Sequence, residues 1–135
     1  MFKGKTILER VDFNNYRLGD TLSYTHNNKE YIAKAGFITD GASIPRLFWA
    51  LIGCPLRGKY VGSAIIHDAT CTLWHLGVIT RKEGDLLFLQ MLKDNGVGFI
   101  KRNIMYLAVR SAELFGRKPT EEKKQMKQFI EIKED

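Results

Sequence analysis

The residue that most restricts how this chain can fold is Asp85. Phe88, Leu89 and Leu92 follow it at three, four and seven positions, so on a helix all four share one face, which Leu86 and Leu87 broaden. A carboxylate on a core-facing stripe gives up its hydration. That costs several kcal/mol, roughly, unless hydrogen bonds or a counter-charge replace the water. Asp85 therefore requires a partner from another element.

The preceding apolar segment supplies a candidate. Tyr60 to about Leu73 is apolar on most sides, as expected of a buried helix, and His67 lies within it after Ala64-Ile65-Ile66. A buried imidazole needs both nitrogens satisfied. Packing the two helices across the loop Trp74 to Ile79 lets His67 donate to Asp85. One tautomer is then held, and the other nitrogen is left to act as a base. Asp68 points about 100° further round the helix, towards a neighbouring loop. The bland alternative is a satisfied core pair, with Asp68 at the surface or in a cap. An imidazole that opens to a cleft supports chemistry, and a sealed one supports the structural reading.

The rest of the chain reads as α+β: a small N-terminal antiparallel β-element followed by three main α-helices. Leu22 to Thr25 and Tyr31 to Ala33 flank the turn-rich His26-Asn27-Asn28-Lys29, a hairpin pattern, and Gly36 to Thr39 adds a short strand. A loop from Asp40 to Arg46 leads into the apolar run Leu47 to Ile52. Thr80 to Glu83 fits a capping box for a helix running to Lys93, with Asp94-Asn95-Gly96 as its stop. A third helix covers Phe99 to Phe115, with Ile100, Ile104, Leu107 and Leu114 on one stripe. Residues 1–116 form a single domain in this reading, and residues 117–135 form a charged C-terminal tail.

At 135 residues, 44% hydrophobic and 27% charged, the chain suits one hydrophobic core. No apolar run approaches the roughly 20 residues of a membrane span, and no cleavable signal peptide is expected from the start Met1-Phe2-Lys3-Gly4-Lys5. The net charge of +6 is spread through mixed runs, without a specific nucleic-acid signal. Cys54 and Cys71 read as buried free thiols by default, with a bridge between them left open.

The stretch Gly36 to Arg46, Trp49, His67-Asp68 and Gly84-Asp85 with Phe88, in that order, closely resembles a phage and prophage family catalogued as domain of unknown function 1353. The resemblance covers about Leu22 to Phe115. It implies viral or prophage origin, with location in a virion or an infected host cell, and supplies no activity. A more distant likeness is to the phospholipase A2 families, in which one helix carries His-Asp, a Gly-rich loop lies upstream and a second helix carries another Asp. That likeness implies His67 as the base, Asp85 as its orienting partner and Asp68 as a calcium ligand. Carbonyls at Asp40, Gly41 and Ala42 would complete the metal shell, with Ser43, Arg46 and Tyr60 in support. The chain departs from both phospholipase patterns at Cys71, where they commonly have a tyrosine four residues after the histidine.

Two main functions remain open on sequence. One is a calcium-assisted, phospholipase A2-like ester hydrolase acting on host-envelope lipid. The other is a non-catalytic tail- or head-associated virion protein that docks to other phage structural proteins and uses the His-Asp pair as a core element. An accessory factor that disarms a host protein is a third reading. Zinc hydrolysis is a weaker variant, since no helical His-x-x-x-His pair is present.

Overall fold

The computed structural model describes residues 1–11, 15–39, 61–112 and 125–134. The Asp40 to Arg46 loop, the Leu47 to Ile52 run, Cys54, Tyr60 and Leu114 lie outside the described residues. Seven strands and three helices are seen among those described: β1 (Phe2–Lys3), β2 (Leu8–Arg10), β3 (Tyr16–Leu18), β4 (Leu22–His26), β5 (Lys29–Ala33), β6 (Ile38–Thr39), α1 (Val61–His75), α2 (Arg81–Asp94), α3 (Phe99–Ala112) and β7 (Ile130–Glu134). They build a four-stranded sheet in the order β1-β4-β5-β7 and a three-stranded sheet in the order β2-β3-β6, antiparallel throughout.

The hairpin between β4 and β5 follows from its turn chemistry. Asn27 and Asn28 both adopt positive φ, 49° and 63°. Asparagine tolerates that region, and two such residues in succession give the turn whose twist matches the flanking strands. The pairing runs from His26 opposite Lys29 to Leu22 opposite Ala33.

Every residue of α1 from Gly62 to Leu73 is buried. The helix occupies the middle of the molecule, packing on β4 and β5 and also on α2, while α3 packs on α2. This explains the apolar character of α1 on most of its faces. The core joins Tyr24, Tyr31 and Phe37 from the strand region to Ile65 and Ile66 of α1, Phe88 and Met91 of α2, and Met105 and Val109 of α3.

Three expectations need correction. The C-terminal segment is not simply a charged tail: after a 3-10 turn at Met126–Phe129, β7 pairs with β5, placing Ile132 opposite Tyr31 and Ile130 opposite Ala33. Strands are therefore not confined to the N-terminal region. Alternation in Ile130-Glu131-Ile132-Lys133 carried that signal, and the surrounding charge obscured it. In α2 the capping box is half formed as read: the Thr80 hydroxyl accepts from the Glu83 amide at 3.1 Å, but the Glu83 carboxylate faces Lys29 and Tyr31. In α3 the stripe that marks the helix in sequence is not the face it buries. Ile100 is 75% and Leu107 65% exposed, whereas Met105, Ala108 and Val109 face inward.

Because Ile132 packs on the core as well as on Tyr31, Ile132→Ala should cost about 1–2 kcal/mol of stability with the fold retained. Urea denaturation followed by circular dichroism measures this. A midpoint equal to that of the parent chain would mean that β7 contributes little to the core.

Candidate functional site

The proximity of α1 and α2 is set partly by Gly84. A Cβ there would come within 2.9 Å of the Thr70 Oγ1 and 3.1 Å of the Thr70 Cβ. Thr70 itself is buried, and its hydroxyl donates to the His67 carbonyl at 2.7 Å, so it has little room to move. A glycine in a helix interior costs up to about 1 kcal/mol relative to alanine, which close helix approach offsets here.

That approach brings the sequence-predicted pair together. His67 Nε2 lies 2.6 Å from Asp85 Oδ1, and both side chains have 0% exposure. The Phe88 ring packs against the imidazole at 4.7 Å between centroids. Cys71 Sγ lies 3.7 Å from Nδ1 and 3.9 Å from Nε2 of the same ring. Both distances are within reach of a weak hydrogen bond involving sulfur. The thiol is free and buried.

Two arginines complete the cluster. Arg81 Nε donates to both carboxylate oxygens of Asp85, at 3.1 and 3.2 Å, and Arg110 Nη1 donates to Oδ2 at 3.1 Å. Arg81 also donates through Nη2 to the Val109 carbonyl at 2.9 Å and lies over the Trp74 ring at 5.2 Å. One carboxylate thus ties α1, α2 and α3 together. The sequence reading missed both arginines. Arg81 had a signal, standing four residues before Asp85 and so on its face, but it was read only as part of the capping run. Arg110 comes from a separate helix and had no local signal.

Burial disfavours the Asp85 carboxylate, but the hydrogen bond and charge of His67, then Arg81 and Arg110, outweigh it and hold its pKa below the ordinary value. Burial likewise disfavours a charged imidazole. Against it stand Cys71 and Asp85, and the His67 pKa is raised to about 10. An imidazole that keeps its proton at neutral pH lacks the lone pair a general base needs.

Asp68 is buried at mid-helix, which removes the bland reading of it as a surface or capping residue. Asp40, Gly41, Ala42, Ser43, Arg46 and Tyr60 fall outside the described residues, so the proposed calcium shell is represented here by Asp68 alone. Calcium takes roughly six to eight oxygens. No group of three or more His, Cys, Asp and Glu placed to hold a metal occurs among the described residues. No described helix is long and apolar enough to cross a membrane.

Removing the charge of Asp85 takes the counter-charge from the buried Arg81 guanidinium and from the His67 imidazole, so Asp85→Asn should destabilise the fold by about 3–5 kcal/mol. The denaturant midpoint should fall with little change in slope. The pH dependence is also fixed in sign. With a folded pKa above the unfolded value of about 6.5, the His67 contribution is complete below that pH and is lost as pH rises through about 10. The Asp85 contribution is present above the unfolded carboxylate value and fades as pH falls through its depressed folded value. Stability measured from pH 7 to 10 should therefore decline more in the parent chain than in His67→Gln. Parallel curves would contradict this.

Comparison with known proteins gives a family but no activity. The chain is 35% identical over 83 residues to the uncharacterized protein y4jT of Sinorhizobium fredii, a match covering 62% of this chain and 24% of that protein. It is also 35% identical over 71 residues to the uncharacterized protein y4iH of the same organism, covering 53% and 28%. The matches thus span about a quarter of the length of these relatives. No solved structure matches the chain. Residues 16–109 match the family described as protein of unknown function DUF1353, and on that extent the chain belongs to this family.

Proposed function

We propose that this chain is a non-catalytic structural component of a phage or prophage particle, with the His67–Asp85 pair serving as a core hydrogen-bond element. The observation that carries the non-catalytic reading is the sealing of the pair: neither side chain has exposed area. The other features agree. Arg81 and Arg110 already engage the carboxylate, and the imidazole holds its proton at neutral pH. The particle assignment rests on the likeness of the motif order to phage and prophage sequences.

A calcium-assisted ester hydrolase of phospholipase A2 type, acting on host-envelope lipid, is the second reading. The favouring observation is the imidazole held at 2.6 Å by a carboxylate on the next helix, with buried Asp68 beside it. In this reading Asp85 orients the ring of His67, and the ring takes a proton from water once it is itself neutral.

Two measurements separate the readings. Mass spectrometry of purified particles should find the chain at fixed stoichiometry, and its absence from them would count against the structural role. Phosphatidylglycerol vesicles with calcium should release no fatty acid when the chain is added. Release that disappears in His67→Gln, while the fold persists, would overturn the non-catalytic reading. The hydrolytic rate would then climb towards alkaline pH as the imidazole loses its proton.

A further inference from the structure

Beyond the His-Asp cluster, the molecule has an open groove of about 810 Å³ between the tip of the β4–β5 hairpin, the outer face of α2 and the start of α3. Its apolar lining includes Leu86, 46% exposed, and Phe99, 70% exposed. Large apolar side chains standing together in solvent mark a contact surface more often than isolated ones do. The exposed Ile100, Ile104 and Leu107 stand on a different face of α3, roughly 100° round the helix from Phe99.

The charges around the groove are unbalanced. Lys29, Lys82, Lys93 and Arg102 line it together with one carboxylate, Glu83. Glu83 is engaged by Lys29 at 3.5 Å, and Lys29 also meets Glu134 at 3.5 Å. Arg102 lies over the Phe99 ring at 5.3 Å and donates to the Val97 carbonyl, contacts that leave its positive charge uncompensated. The His26 ring also lines the groove, at the tip of the hairpin. The groove therefore combines an apolar floor with a cationic rim.

We propose that this groove docks an acidic, amphipathic peptide segment of a protein partner, its apolar side chains meeting Leu86 and Phe99 and its carboxylates facing Lys82, Lys93 and Arg102. Charge complementarity selects an acidic occupant and speeds its encounter with the site. Concavity selects a chain segment over a bilayer, because a flat lipid surface cannot reach between the hairpin tip and α3. This inference concerns a surface separate from the His67 cluster and holds whether or not that cluster is catalytic.

The test is fluorescence anisotropy with a labelled synthetic peptide of alternating leucine and glutamate pairs. Versions with lysine for glutamate and serine for leucine serve as controls. The acidic apolar peptide should bind, more weakly as salt is raised, and neither control should. The double variant Lys82→Glu/Lys93→Glu should weaken binding about tenfold or more. One change sits in the first turn of α2 and the other in the last, so their effects on the helix dipole oppose each other and the fold should survive. Phe99→Ser should weaken binding as well, through lost apolar contact. No binding of the acidic peptide, equal binding of the lysine version, or indifference to the double charge reversal would each overturn the proposal. So would sedimentation with phosphatidylglycerol vesicles in the absence of any peptide binding.

Discussion

A single buried negative charge governs how the helices of this molecule meet. Asp85 exchanges its water for an imidazole and two guanidinium groups drawn from all three helices. Replacing such a cluster with apolar side chains of matching volume is often neutral or stabilising, so its stability value alone does not account for it. Its geometric effect is clearer. Arg81 grips Asp85 on its own helix and the Val109 carbonyl on the next, so α3 is fixed in rotation as well as position. That rotation directs Met105, Ala108 and Val109 inward and leaves Ile100 and Leu107 in solvent. The polar cluster inside and the apolar surface outside are two results of one constraint.

The same cluster limits the chemistry available to His67. In a hydrolytic dyad, the carboxylate orients the ring and stabilises its charge while the opposite nitrogen works on the substrate. Here two guanidinium groups share that carboxylate, and the ring is enclosed by Phe88, Cys71 and the carboxylate itself. The geometry that makes the pair resemble a catalytic one also makes it an effective internal brace.

How much was legible depended on whether the signal was local. Asp85 announced its need for a partner because it interrupted an apolar helical stripe, and His67 was the nearby buried group able to answer. The hairpin was equally readable from Asn27 and Asn28. Arg110 was not, because its role arises only when α3 is packed and turned. The outward stripe on α3 was missed for a related reason: periodicity shows that a helix has an apolar face but not which face finds the core. Isoleucine alternation at residues 130 and 132 was visible, yet nothing nearby indicated that its partner was β5. Of the residues assigned to a site by sequence, the described structure joins His67 and Asp85 directly and buries Asp68, the next residue along α1.

The pairing of β5 with β7 also carries a kinetic consequence. The β4–β5 hairpin closes through a two-residue turn and can form within about microseconds. Setting Ile130 against Ala33 instead requires closure of a loop of about a hundred residues, a larger entropic cost than the hairpin carries. Until that pairing forms, β5 presents an open row of amides and carbonyls. Docking of β7 covers that row and leaves as the outer edge a five-residue strand carrying Glu131, Lys133 and Glu134, charges that oppose pairing with a second chain.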